Sequence, residues 1–315
     1  MITAQEVREA AEGLRGIAVR TPLRYVAELD AWLKLENLQP VGAFKIRGAY
    51  NAVRRLPAAA RAKGVITYSS GNHGQALAFA GKQFGVRSVV VMPETAPPVK
   101  VAGVKRWGGE VVFAGRTSDD RHRKAEEIAA REGLAIVPPF DHRDIVAGQA
   151  TVALEIVEDL PDVRTVFVPV GGGGLISGVV EGLALAGSAA TVWGVEPAGA
   201  PKLHRSLAAG APARLERTAS IADGLITLTV GAVPFAVLQA HRDRVGGVAL
   251  VDDDRIREAV HFLHRRCGLT VEPSGAATTA ALRSGAVTPP PQRPLVLVVS
   301  GGNVDPALLA DESPA

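Results

Sequence analysis

Thr165-Val166-Phe167-Val168-Pro169-Val170-Gly171-Gly172-Gly173-Gly174-Leu175-Ile176-Ser177-Gly178-Val179-Val180 is the stretch whose reading decides the fold. Its first six residues are a continuous apolar run, as expected of a strand covered on both faces. Its last six open a helix. Between them four glycines let backbone N–H groups converge on an anion at the helix N-terminus. A flexible linker shares the composition but lacks a strand on one side and a helix on the other. The run also nearly satisfies G-x-G-x-x-G, and Glu196 ends the next strand about twenty residues on, as in a dinucleotide site. However, Ser177 stands where the third glycine or alanine belongs, and no second nucleotide half follows. Phosphate binding is the expectation; a dinucleotide is the alternative.

Outward from this stretch, short Val/Ile-rich runs alternate with longer amphipathic ones. Strands are expected at 64–69, 88–92, 110–113, 165–170, 191–195 and 295–299. Helices are expected at 4–14, 46–55, 74–84, 98–107, 118–132, 147–160, 176–186 and 253–266. Apolar strands between helices predict an α/β protein with open parallel sheets covered on both faces. Two βαβ series, 62–139 and 165–196, are separated by Pro138-Pro139. They suggest two α/β domains: a larger one from 1–50 and 145–315, and a smaller one, 51–144, inserted into it. Pro289-Pro290-Pro291 and the tail after Pro306 read as a loop and a frayed end.

The composition narrows the function class. A hydrophobic fraction of 47% with 21% charged residues over 315 residues fits a well-buried globular protein, not a disordered one. No stretch of eighteen apolar residues runs free of charge or glycine, so no membrane span is expected. The N-terminus carries acids and no apolar core of a secretory signal, which points to the cytosol. Cys267 is the sole cysteine, which excludes an intrachain disulfide and a cysteine-based zinc site. The net charge of +3 comes from scattered arginines with acids among them, as in Arg121-His122-Arg123-Lys124-Ala125-Glu126-Glu127. That is a solvated helix face, so no nucleic-acid partner is expected.

Three more runs carry chemistry. Ser69-Ser70-Gly71-Asn72-His73-Gly74 follows an expected strand and precedes a helix, so its N–H groups and hydroxyls can hold a carboxylate. Ser70 is not in G-x-S-x-G, which disfavours a hydrolase nucleophile; a helix N-cap is its plainer role. His73 by itself reads as a structural histidine. Lys45 lies in Gly42-Ala43-Phe44-Lys45-Ile46-Arg47-Gly48-Ala49, where desolvation would make its amine nucleophilic near neutrality. Leu295-Val296-Leu297-Val298-Val299-Ser300-Gly301-Gly302-Asn303 ends a strand on a polar side chain, where an open α/β sheet faces its ligand crevice. A lysine for an aldehyde, glycines for a phosphate and a serine for a ring nitrogen together describe a pocket for pyridoxal 5'-phosphate.

All four runs, in their order along the chain, resemble the fold-type II (tryptophan synthase β-like) pyridoxal-phosphate enzymes, specifically the serine/threonine dehydratase and serine racemase group. Further matches span most of the chain: Arg20-Thr21-Pro22-Leu23, Lys34-Leu35-Glu36-Asn37-Leu38-Gln39, Ala147-Gly148-Gln149, Val195-Glu196-Pro197, Ile221-Ala222-Asp223-Gly224 and Glu272-Pro273. Lys-Ile-Arg-Gly after Phe44 is similar to the dehydratase branch. The resemblance implies that Lys45 carries the cofactor as an imine and then takes the substrate Cα proton. It places Phe44 by the pyridine ring, Asn72 at the ring hydroxyl, Gly171, Gly172, Gly173 and Gly174 at the phosphate and Ser300 at the ring nitrogen. Ser69, Ser70, Gly71, Asn72 and His73 would hold the substrate carboxylate, with Gly224 and Glu272 lining the remaining wall. Ser70 would lie across the ring from Lys45, which keeps racemisation open.

The expected activity is β-elimination from a small-molecule β-hydroxy amino acid of the L-threonine or L-serine type, giving a 2-oxo acid and ammonia. Serine racemase and 3-hydroxyaspartate dehydratase are the close alternatives; an NAD-dependent oxidoreductase and a cofactor-free amino-acid-binding protein are the distant ones. The resemblance also implies a homodimer with the cofactor in the cleft between the domains. One departure bears on metal. Metal-dependent relatives bind a divalent ion at positions that here are Glu196, Ala200 and Lys202. A lysine cannot serve as the anionic ligand, so a divalent metal is not expected, and the Lys202 ammonium would pair with Glu196 instead. The segment 24–32 is shorter than the usual stretch at that point.

Overall fold

The structure, a computed structural model, describes residues 2–69, 71–96, 98–287 and 291–310. Ser70, Pro289, Pro290 and the residues after Ala310 therefore lie outside the described residues. The chain opens with α1 (Ala4–Gly13), whose N-terminus is closed by a reciprocal Thr3/Glu6 capping box. Then follow β1 (Leu23–Val26), β2 (Ala31–Lys34), α2 (Lys45–Arg55) and α3 (Ala58–Lys63). The 24–32 segment thus folds as a tight antiparallel hairpin, with Asp30 taking the left-handed turn conformation at φ 45°.

The next elements are β3 (Val65–Thr67), α4 (Asn72–Phe84), β4 (Ser88–Met92), α5 (Pro98–Arg106), β5 (Glu110–Phe113), α6 (Ser118–Glu132) and β6 (Ala135–Ile136). They form a parallel four-stranded sheet in the order β5-β4-β3-β6. After α7 (Arg143–Asp159) come β7 (Thr165–Pro169), α8 (Gly174–Leu185), β8 (Thr191–Pro197), α9 (Lys202–Ala209), α10 (Ala232–Ala240) and β9 (Val245–Val251). The chain continues through α11 (Asp253–Arg265), α12 (Pro273–Arg283), β10 (Leu295–Val298) and α13 (Pro306–Leu309). The second sheet has six strands in the order β1-β2-β10-β7-β8-β9, parallel except for the β1 edge.

The period of two along the strands divides the larger core. Leu295, Leu297 and Phe167 face α11 and α12, where they pack with Val260, Leu263 and Ala277. Val296, Val298, Val166 and Val168 face the other way, against Ile176, Val179 and Val180 of α8 and Val152 and Ile156 of α7. This double coverage explains why β7 and β10 read as unbroken apolar runs. The smaller sheet is covered likewise, by Leu77 and Ala80 on one face and Ala125 and Ile128 on the other.

Helix α2 joins the two sheets and begins at Lys45 itself, one residue earlier than the sequence suggests. It packs on α7 so closely that a Cβ on Gly148 would come within 2.6 Å of the Arg47 carbonyl oxygen, which accounts for glycine in Ala147-Gly148-Gln149. Arg47 is the anchor. Its guanidinium donates to Glu36 Oε1 and Oε2, each at 2.8 Å, and to Glu155 Oε1 and Oε2 at 2.7 and 2.8 Å. Lys34 Nζ donates to Glu155 Oε2 at 2.6 Å, and Thr21 Oγ1 donates to Glu36 Oε1 at 2.6 Å. The network is buried, with Arg47 only 1% exposed.

Removing one partner of a buried pair strands the other charge and costs about 3–5 kcal/mol. Arg47→Gln is expected to destabilise by about that much in denaturant unfolding. The control, Arg87→Gln at the exposed Glu110 and Glu132 pairs, should cost about 1 kcal/mol or less. Equal losses for the two variants would remove the network from its place as the anchor of α2.

Candidate active site

Helices α2, α4, α8 and α12 each begin with N–H groups that the helix itself leaves unpaired, and the candidate site residues gather at these starts. The loop after β10 ties them together. Phe44 N donates to Ser300 O at 3.0 Å, and Gly302 N donates to Gly42 O at 2.8 Å. Glu272, the N-cap of α12, donates its N–H to Gly301 O at 3.1 Å. Lys45 is thereby held on a turn pinned to the strand end that carries Ser300.

The Lys45 ammonium donates to Pro139 O at 2.6 Å and lies 5.3 Å from the Phe44 ring centroid. Burial with no carboxylate beside it lowers its pKa to about 8. Pro139 leads into Phe140, whose ring covers the glycine loop so closely that a Cβ on Gly172 would come within 2.2 Å of its carbons. Gly173 adopts φ +90°, a conformation open to glycine, as the cap residue of α8. Gly171 lies against the Gly224 carbonyl, where an added Cβ would come within 2.6 Å. Gly224 N in turn donates to Ser274 Oγ at 3.0 Å. Ser300 Oγ is 3% exposed and makes one long 3.5 Å contact to Ser274 O, so its hydroxyl is nearly uncommitted.

On the opposite wall, Asn72 Nδ2 donates to Glu272 Oε1 at 2.6 Å, and Asn303 Nδ2 donates to Asn72 Oδ1 at 2.8 Å. Burial pushes the Glu272 carboxyl up to about 7. Lys100 of α5 pairs with Asp223, beside Gly224, and so links the elements of the smaller sheet to the wall. Ser69 and Gly71 are partly buried next to the start of α4, with a long 3.5 Å contact from Gly71 N to Ser69 Oγ. The His73 side chain turns away from the cleft: its Nε2 donates to Val137 O at 3.1 Å. Burial and the nearby Lys45 charge lower its pKa to about 3, so the ring is neutral. What this segment offers an anion is backbone N–H, with no histidine charge. Ser70 lies outside the described residues.

Contacts thus run from Lys45 through Pro139 and Phe140 to the glycine loop, and from there through Gly224, Ser274 and Ser300 back to the lysine's turn. Pro139, Phe140, Ser274, Asn303 and Lys100 were not legible as site residues. Ser274 follows Glu272-Pro273 and Asn303 ends the Ser300 run, so adjacency to quoted motifs was the available signal; a bare carbonyl such as Pro139 O carries none.

The residues present fit pyridoxal phosphate: a buried amine of lowered pKa, a glycine loop packed too closely to carry side chains, and a nearly unpartnered buried hydroxyl. The chain belongs to the family described as pyridoxal-phosphate dependent enzyme, which matches residues 14–301. It is 40% identical over 305 residues to an L-threonine ammonia-lyase of Geobacter sulfurreducens, covering 95% of this chain and 75% of that one. It is 37% identical over 306 residues to an L-threo-3-hydroxyaspartate ammonia-lyase of a Pseudomonas species, covering 95% of each. The solved structure of maize serine racemase superposes with a TM-score of 0.89 at 34% identity, covering 97% of this chain and 94% of that one. Ammonia-lyase and racemase relatives place it among those branches of the family, and the dinucleotide reading is left without support. The Ser177 hydroxyl that spoiled the dinucleotide pattern donates back to Gly174 O at 3.2 Å. Among the described residues no helix is long and apolar enough to cross a membrane.

The Glu272 shift has a pH consequence. Its carboxyl has an ordinary pKa of 4.5 in the unfolded chain and about 7 when folded, so the folded state holds the extra proton between those values. Stability is then lost as pH rises through that window. Glu272→Gln keeps the acceptor for Asn72 but cannot titrate. Between pH 4.5 and 8, the wild-type protein should lose about 3 kcal/mol relative to the variant in denaturant unfolding. Parallel pH profiles for the two proteins would show that Glu272 is charged in the folded state.

Proposed function

We propose that this chain catalyses pyridoxal-phosphate-dependent β-elimination from L-threonine- or L-serine-type β-hydroxy amino acids, releasing a 2-oxo acid and ammonia. The observation that carries the reading is Lys45: an enclosed amine with a pKa lowered to about 8, bonded to Pro139 O next to the Phe140 ring that lies on the glycine loop. Its nearness in sequence to threonine and 3-hydroxyaspartate ammonia-lyases supports elimination as the reaction.

In this proposal the N–H groups of Gly171, Gly172, Gly173 and Gly174 hold the phosphate at the start of α8. Phe44, Asn72, Gly224, Glu272 and Ser300 line the ring. Asn72 still has a second amide hydrogen free for a ring oxygen. The Ser300 hydroxyl faces the ring nitrogen without imposing a charge on it. Ser69, Ser70, Gly71, Asn72 and the backbone of His73 receive the substrate carboxylate. When bound, the cofactor supplies an electron-withdrawing ring that spreads the negative charge left on the substrate Cα. Lys45 takes the Cα proton, since at neutral pH about a tenth of an amine with this pKa is free base. Glu272, half protonated near neutrality, keeps its hydrogen-bonding capacity without adding a full charge to the wall. The segment 51–144 acts as an inserted unit that closes over the substrate and excludes water, and the working form is a homodimer.

The test combines cofactor and product. Wild-type protein should gain a visible absorbance band with pyridoxal phosphate that Lys45→Ala lacks. Release of 2-oxo acid from L-threonine or L-serine should fall at least about 10³-fold in that variant. L-threo- and erythro-3-hydroxyaspartate, and D-serine formation from L-serine, are assayed beside them. A colourless wild-type protein refutes the reading. A Ser70-dependent D-serine signal exceeding 2-oxo acid release moves it to racemase.

A further inference from the structure

Lys202 and Glu196 are fully buried and pair at 2.9 Å. The Lys202 ammonium has four oxygens around it: Glu196 Oε1 at 2.9 Å and the carbonyls of Val170, Ala200 and Leu225 at 2.8, 3.1 and 2.8 Å. An ammonium has three protons, so four acceptors within 3.1 Å resemble the coordination of a cation more than the saturation of a hydrogen-bond donor. Glu196 is completed by the N–H groups of Leu203 and His204, each at 2.9 Å. The positions where the sequence resemblance places a divalent ion are therefore filled by a side chain, and a resident divalent metal does not fit them.

The four oxygens come from segments that build the glycine-loop side of the cleft. Val170 immediately precedes Gly171, and Leu225 follows Gly224, against which Gly171 packs. Glu196 lies near the end of β8, and Ala200 in the connection from β8 to α9. We propose that the Lys202 ammonium is a tethered internal cation, a positioning group that holds the glycine loop and the Gly224 turn in register, and that removing it leaves a site for a free monovalent cation. Spacing selects the class. Oxygens 2.8–3.1 Å from the centre suit ammonium or potassium, whereas calcium takes 2.3–2.6 Å and magnesium 2.0–2.1 Å. Three of the four are carbonyls, as in sites that accept potassium.

The experiment uses the full chain with and without pyridoxal phosphate. Lys202→Ala should melt about 5–8 °C lower than wild type and bind pyridoxal phosphate about tenfold more weakly. Ammonium or potassium chloride should restore at least half of both losses, while choline chloride and magnesium chloride at matched ionic strength should not. Lys202→Met, which refills the volume without charge, should not respond to any salt. Wild type should show no selective response to these ions and no loss of stability or cofactor affinity in EDTA. A cation-specific response in wild type overturns the proposal, as does a Lys202→Ala protein with unaltered melting and affinity or with no selective rescue. If Lys202→Ala does not fold in any salt, the wild-type comparison decides alone. The inference rests on the proposed cofactor site only for the affinity readout; melting without pyridoxal phosphate judges Lys202 even if that site fails.

Discussion

The buried ion network around Arg47 is the constraint on which the rest of this structure depends. Two cations, Arg47 and Lys34, face two carboxylates, Glu36 and Glu155, drawn from three separate segments of the chain: the run Lys34-Leu35-Glu36, α2 and α7. Solvating them apart in an apolar interior would be prohibitive, so the segments must meet in one arrangement. That arrangement sets the first turn of α2, two residues from Lys45. Arginine suits the place because its planar fork serves both carboxylates at once. The candidate catalytic lysine is therefore positioned by charge pairing behind it, leaving its own amine almost unpaired and available.

Poverty of partners recurs on the cleft side. Lys45 has one carbonyl, Ser300 one long contact, and Glu272 a single amide donor. The resulting shifts run opposite ways for the same cause: burial lowers the lysine pKa and raises that of the glutamate. Behind the cleft the opposite rule holds, with Arg47 and Lys202 surrounded by oxygens. Saturated charges form the frame, and unsaturated ones line the candidate site.

Much of the fold was legible because buried parallel strands leave long apolar runs. β4 and β5 have the expected bounds, and β7 and β10 differ from expectation by one residue. β9 was missed because Val245-Gly246-Gly247-Val248 has no strand pattern of its own. It is a strand by virtue of its pairing with β8 and its packing on the Trp193 ring. β6, two residues long, exists only through its pairing with β3. α12 begins Pro273-Ser274-Gly275, poor helix formers held by burial against β9 and β10. The tail after Pro306 was read as frayed, yet Asp305 caps a short helix there. In each case tertiary contact overrides a weak local preference.

By itself the sequence determined the class of architecture and the family and singled out the glycine run and Lys45 as candidates, since these depend on residue types at short spacing. It also showed that Lys202 stands where an acid belongs in a metal site. Only the tertiary structure shows what surrounds that lysine, because three of its four oxygens are backbone carbonyls, chemically identical to every other carbonyl in the chain. The same holds for Lys45. Its place in the chain was readable, but its depressed pKa and its contact with Pro139 arise from packing between segments about a hundred residues apart.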